Sequence, residues 1–143
     1  MYKRQIISKH LTIFTNSLYL FNELIKIDTL AVRLIGGKYR KITGAFVGPL
    51  AIDMIKDLRF QKAFIGVNGI SQNNAFAYNE DEGFLQKIIL DNASEKFIVA
   101  DSSKIGIEDF YAFYKLEDVS VITDDRISKK DFKFLCKYTK VIK

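Results

Sequence analysis

Apolar and polar positions along the chain switch between two periods. "LTIFTN", Leu11 to Asn16, is a short β-rich run. "SLYLFNELIKI" then spaces Leu18, Leu20, Phe21, Leu24, Ile25 and Ile27 close to a helical period, with Ser17 placed to cap it. "TLAVRLIGG" predicts a strand that stops at paired glycines. "VGPLAIDMIKDLR" predicts a helix with Pro49 in its first turn, where the missing N–H is harmless. "KAFIGVNG" predicts a strand ending at Asn68 and Gly69. In "NEDEGFLQKIILDNAS", Asn79 caps a helix whose first turn carries Glu80, Asp81 and Glu82 on the positive end of its dipole. Phe84, Leu85, Ile88, Ile89 and Ala93 make its inward stripe. "KFIVADSS" and "VSVITDD" predict strands, "SKKDFKFLCKY" a helix capped by Ser128, and "KVIK" a short last strand.

Strands separated by helices of about 10–15 residues predict βαβ units: an α/β fold with an open, mainly parallel sheet and helices on both faces. The chain has 143 residues, one proline and no low-complexity stretch, so a single domain over residues 1–143 is expected. Its 48% hydrophobic and 27% charged residues match an ordinary soluble protein. No apolar run reaches the roughly 18 residues of a membrane span. "MYKRQIISKH" is basic but lacks the apolar core of a signal peptide, so a cytoplasmic location is the default expectation. The formal net charge is +5, with lysines concentrated mildly from Lys129 to Lys143. No helix-turn-helix, RNA-binding or zinc-finger pattern accompanies them. A solvated basic surface is expected rather than a nucleic-acid face.

Single residues narrow the chemistry. The only cysteine, Cys136, sits in an apolar-periodic stretch and is expected to be a buried structural thiol. His10 has no Cys or His partner at ligand spacing, so no zinc site and no metal are expected. A Ser-His-Asp triad would depend on His10, and no GxSxG elbow exists. Nothing in the chain points to a cofactor. The aromatic run Phe110, Tyr111, Phe113 and Tyr114 is either core or a self-association surface.

The remaining signal lies where strands end. These ends are Thr15-Asn16-Ser17, Gly36-Gly37, Asn68-Gly69, Asp101-Ser102-Ser103-Lys104 and Thr123-Asp124-Asp125. In one parallel sheet they share an edge, where ligands of open α/β sheets bind. Gly, Asn, Asp and Ser also populate ordinary turns. Lys104 has no such turn role. A lysine beside hydroxyls and turn amides suits a phosphate. "GGKYRK" lacks the spacing of a Walker phosphate loop.

The order "TNS", "LIGGKYR", "FVGPLA", "LRFQKAFIGVNGI", "NEDE", "ADSSKIG" and "ITDD", from Leu11 to about Lys143, resembles the C-terminal effector-binding domain of DeoR-family transcriptional repressors. The resemblance is to the branch with lactose (tagatose) and fructose operon repressors. It implies the sheet of ribose-5-phosphate isomerase, glucosamine-6-phosphate deaminase and coenzyme A transferases. It also implies a phosphorylated sugar bound at the strand ends, DNA contacted only through an N-terminal helix-turn-helix, and homo-oligomers. In these terms Lys104, Ser102 and Ser103 hold the phosphate. Thr15, Asn16, Asn68, Gly69 and Glu80 face the sugar. Gly36 and Gly37 support the site, and Asp101 orients the Ser-Ser-Lys turn.

Two features depart from the pattern. Residues 1–10 match poorly, and they supply neither a helix-turn-helix nor the family's first strand with its Gly/Ser/Thr-rich phosphate loop. The expected domain therefore lacks those parts. The related deaminases use an Asp-Gly-His run followed by Asn-Glu-Pro. Here the places read Asn68-Gly69-Ile70 and Asn79-Glu80-Asp81. Asparagine is no general base and no histidine is nearby, so no catalytic residue is assigned and a sensor is expected, not an enzyme. The alternative is a sugar-phosphate isomerase or deaminase of the same fold, with Glu80 as its remaining acid.

Overall fold

The computed structural model describes residues 11–143, which form two compact units divided between Ile55 and Lys56. Residues 1–10, including His10, lie outside the described part.

In the first unit, β1 (Leu11–Thr15) and β2 (Leu30–Leu34) pair in parallel, Leu11 opposite Leu30 and Thr15 opposite Leu34. The helix between them, α1 (Leu18–Leu24), begins where expected, because the Ser17 side chain accepts the Leu20 N–H at 3.2 Å. An antiparallel hairpin follows, β3 (Lys38–Arg40) with β4 (Ala45–Val47), and then α2 (Pro49–Ile55). Among the described residues of this unit, Ile35, Val47, Ala51 and Ile55 are the buried apolar ones.

The second unit is built on a four-stranded parallel sheet in the order β11-β10-β8-β5. Its strands are β5 (Phe60–Gly66), β8 (Ala93–Val99), β10 (Ser120–Ile122) and β11 (Lys140–Ile142). The helix α3 (Glu80–Asp91) leads into β8, and α4 (Lys129–Leu135) leads into β11. Both start at the expected caps. Asn79 Oδ1 accepts the Glu82 N–H at 3.0 Å, and Ser128 Oγ accepts the Asp131 N–H at 3.0 Å.

Each new strand adds on the same side of the last, so right-handed crossovers carry the helices to one face. The core agrees. Ala63, Ile65, Ile98 and Val121 pack with Leu90 of α3 and Leu135 of α4 in one cluster. The alternate positions face the other way, with Phe64 58% and Val99 44% exposed. Among the described residues of this unit, helices therefore cover one face of the sheet, where the sequence predicts both. The inward stripe of α3 also differs from expectation. Leu85 and Leu90 are fully buried, whereas Phe84 is 46% exposed and meets Tyr111 edge-on at 5.3 Å.

A second sheet was not predicted: β6 (Gly69–Ser71), β7 (Asn74–Ala77) and β9 (Tyr111–Lys115), all antiparallel. Its β6–β7 turn places Gln72 at φ 51°, a conformation where Gly or Asn is the usual signal. Phe113 and Tyr114 of β9 join the core, while Phe110 is 70% exposed. Cys136 corrects the expectation of burial, because it is exposed. It caps the C-terminus of α4 after Leu135 has taken the inward position.

Candidate functional site

Parallel pairing brings the carboxyl ends of β5, β8 and β10 to one edge of the four-stranded sheet. The sequence predicts five strand ends on one edge. These three belong to the second unit, whereas Thr15, Asn16, Gly36 and Gly37 belong to the first and are described there.

After β8 the chain enters a 3-10 turn, Ser102–Lys104, capped by Asp101. Asp101 Oδ1 accepts the Ser103 N–H at 2.9 Å and also the Ser103 hydroxyl. The Ser103 bonds, side chain first and then backbone, hold the Asp101 carboxyl below the usual aspartate range. These contacts shape the turn locally. Two others tie it to its neighbours. On one side, the Ser102 N–H donates to Asp124 Oδ2 at 3.1 Å, from the loop after β10. On the other, the Gly106 N–H donates to the Ile70 carbonyl at 2.7 Å, and Ile105 bridges Ile70 in parallel.

Gly69 completes the second tie. It is buried, and a Cβ there would stand 2.3 Å from the Ile107 carbonyl oxygen. Only glycine lets the two backbones approach so closely. The structure thus joins Asn68 and Gly69, the Asp101–Lys104 turn and Asp124 into one continuous group. The Lys104 ammonium makes no hydrogen bond or ion pair with a described residue. Glu80, the first residue of α3, is exposed, and no contact to this turn accompanies it.

Two residues here were not singled out from sequence. Asp124 was only one polar position in a strand-end loop. Its carboxyl lies below the usual range because of the Ser102 N–H first, with Arg126 and the Ser102 hydroxyl adding to it. Arg126 N donates to Asp124 Oδ1 at 2.9 Å, and its guanidinium lies 3.3 Å from Oδ2. Gln86 on α3 donates its amide to the Gly66 carbonyl at 3.1 Å, holding the end of β5 just before Asn68. An acid or amide in a loop carries no signal that separates such a tie from an ordinary turn former.

In the first unit the candidate side chains are engaged locally. Thr15 is buried, and its Oγ1 accepts the Ser17 N–H at 3.1 Å. Asn16 Nδ2 donates to the Phe46 carbonyl at 2.9 Å, fastening β4 to the end of β1. Gly37 has φ 147°, and a Cβ would meet the Val47 carbonyl oxygen at 2.7 Å, so this glycine is needed for the β3–β4 hairpin to pack. Gly36 has open space around it. Among the described residues, no three His, Cys, Asp or Glu side chains gather into a metal-ligand set.

Residues 2–126 match the family model described as the DeoR C terminal sensor domain. The chain belongs to the DeoR C-terminal sensor domain family. Similar curated proteins include the lactose phosphotransferase system repressor of Lactococcus lactis subsp. lactis, 40% identical over 132 residues, covering 92% of this chain and 52% of that protein. The repressor of the same name from Staphylococcus epidermidis is 42% identical over 125 residues, covering 85% of this chain and 50% of that protein. That of Streptococcus mutans serotype c is 35% identical over 134 residues, covering 92% and 53%. The sensor domain thus spans about half the length of the curated relatives it matches. No helix among its described residues is long and apolar enough to cross a membrane.

Proposed function

We propose that this chain is the sugar-phosphate-sensing domain of a DeoR-type regulator that represses a sugar-utilisation operon. It binds a phosphorylated sugar at the carboxyl ends of β5, β8 and β10 and performs no catalysis on it. Lys104 carries the charge recognition. Ser102 and Ser103 stand beside it on the same turn, their amides holding that turn in place through Asp124 and Asp101. Asn68 and Gly69 face the sugar, with Glu80, Thr15 and Asn16 assigned to the same ligand and Gly36, Gly37 and Asp101 in support. The fold in this reading is that of ribose-5-phosphate isomerase and its relatives. The domain works in the cytoplasm as a homo-oligomer, and DNA is contacted by a helix-turn-helix domain distinct from this one.

One observation carries the proposal. A lysine ammonium with no ion-pair partner among the described residues stands on a turn at the strand-end edge. A phosphate gives such a group its missing partner. The absence of an acid-base pair at Asn68-Gly69-Ile70 supports a sensor over an isomerase.

Calorimetric titration with fructose 1-phosphate, fructose 6-phosphate and tagatose 6-phosphate, beside unphosphorylated fructose, tests it. Binding should require the phosphate. Lys104→Ala should weaken it by roughly 1.5–3 kcal/mol, the range for a hydrogen bond to a charged group. Unchanged affinity in that variant removes Lys104 from the site. No binding of any sugar phosphate at millimolar levels removes the function.

A further inference from the structure

Asp101 and Asp124 stand beside Lys104 in a region assigned to an anion. Counting Asp101, Lys104, Asp124, Asp125 and Arg126, there are three acids and two bases. Through space, a carboxylate at position 124 opposes a bound phosphate. Its value to the site must therefore be geometric. We propose that Asp124 is a positioning residue: by accepting the Ser102 N–H it fixes the Ser102–Lys104 turn so that Lys104 meets the phosphate of the effector. This rests on the sugar-phosphate reading above.

The ties around the turn support the assignment. Among the described residues the Asp101 side chain bonds to Ser103, two residues away, so it shapes the turn without fixing it to another loop. The far end of the segment is anchored by Gly106 on Ile70. The near end is anchored by Asp124, which reaches across from the loop after β10. Lys104 lies between these two anchors. Asp124 is itself held by the Arg126 N–H on its other oxygen, so it presents a fixed acceptor. Its side chain is 29% exposed, against 81% for Arg126, in keeping with an inward tie rather than a solvated charge. Freeing the near end lets the turn sample positions in which the ammonium misses the phosphate, and affinity falls although a negative charge has been removed.

The two roles of a carboxylate predict opposite signs. Titrate fructose 1-phosphate, fructose 6-phosphate and tagatose 6-phosphate into the wild-type chain at neutral pH, and carry the tightest binder forward. Repeat with Asp124→Ala, Asp124→Asn, Lys104→Ala and the Asp124→Ala/Lys104→Ala pair. Asp124→Ala should bind about tenfold more weakly, the loss of one charge-assisted hydrogen bond. Asp124→Asn keeps an oxygen for the Ser102 N–H and should recover most of the affinity. The double variant should bind no more weakly than Lys104→Ala alone, because Asp124 acts through that lysine.

Tighter binding by Asp124→Ala makes the residue a mere opposing charge and overturns the proposal. Full additivity in the double variant overturns it too, since the effect then bypasses Lys104. Wild-type binding with Asp124→Ala unchanged fails this inference and spares the sugar-phosphate reading. A wild-type chain that binds none of the three fails both. Circular-dichroism melting accompanies each titration. If Asp124→Ala melts below the working temperature, Asp124→Ser takes its place in every comparison, the double variant included.

Discussion

Replacing Gly69 with alanine tests the close approach that pins the candidate phosphate turn. The new Cβ would lie 2.3 Å from the Ile107 carbonyl oxygen, 2.8 Å from the carbonyl carbon and 3.1 Å from the Ile107 Cβ. Non-bonded carbon atoms rest about 3.5–4.0 Å apart, so one backbone must retreat by on the order of 1 Å. The closest two of these neighbours are main-chain atoms, so no rotamer change relieves the clash. The retreat pulls Ile107 and its neighbour Gly106 away from Ile70, which stretches the 2.7 Å bond from the Gly106 N–H. Overpacking costs about 1–3 kcal/mol and a lost buried hydrogen bond about 1 kcal/mol more, for a total of roughly 2–4 kcal/mol.

Urea unfolding followed by circular dichroism reads this directly. With a slope of about 1–3 kcal/mol/M, the midpoint should fall by about 1 M or more. Gly66→Ala is the control. Its Cβ would meet nothing within 4 Å, so stability should hold or rise by about 0.5 kcal/mol. An unshifted midpoint for Gly69→Ala, or an equal loss for Gly66→Ala, would show that the approach to Ile107 does not hold this segment.

Two further outcomes test the fold around it. Leu90→Ala empties a fully buried position between α3 and the sheet and should cost about 2–5 kcal/mol in the same urea assay; a loss below 1 kcal/mol would mean that Leu90 is not a core contact. Cys136 should react with a thiol reagent such as DTNB in the folded protein, one thiol per chain without denaturant; reaction only after unfolding would restore the buried position expected from sequence.

Elements with a strong local signal were legible in the sequence. Ser17, Asn79 and Ser128 cap their helices because a short oxygen just before an apolar-periodic run has one good use there. The parallel strands β5, β8 and β10 were legible as apolar runs that stop at polar turns. The antiparallel β6–β7–β9 sheet was not. Its strands are three to five residues long, and its tight turn uses Gln72 where the readable signal is Gly or Asn. Cys136 was misplaced because helical periodicity continues on paper after Leu135, whereas the helix ends there. At the site, Lys104 stood out because lysine is no turn former. Asp124 did not, because a strand-end aspartate is common. Its partner, the Ser102 N–H, lies 22 residues away, where only folding reveals it.

That partnership resolves the tension between the acids and the proposed anion. The two carboxylates tied to the turn are already engaged by N–H or O–H donors: Asp101 by Ser103, and Asp124 by Ser102 and Arg126. Those bonds hold both carboxyl groups below the usual aspartate range. These negative charges are thus directed largely into backbone N–H groups, and the Lys104 ammonium has no hydrogen bond to a described residue. A short 3-10 turn cannot hold a long side chain in place by itself. In the proposed site the acids would provide the rigidity that one lysine needs to recognise a phosphate, and the Gly69 approach closes the other end. Such a site trades some electrostatic attraction for a fixed geometry. A flexible turn with several lysines would bind many anions, whereas a single held ammonium accepts a phosphate only where the rest of the ligand fits.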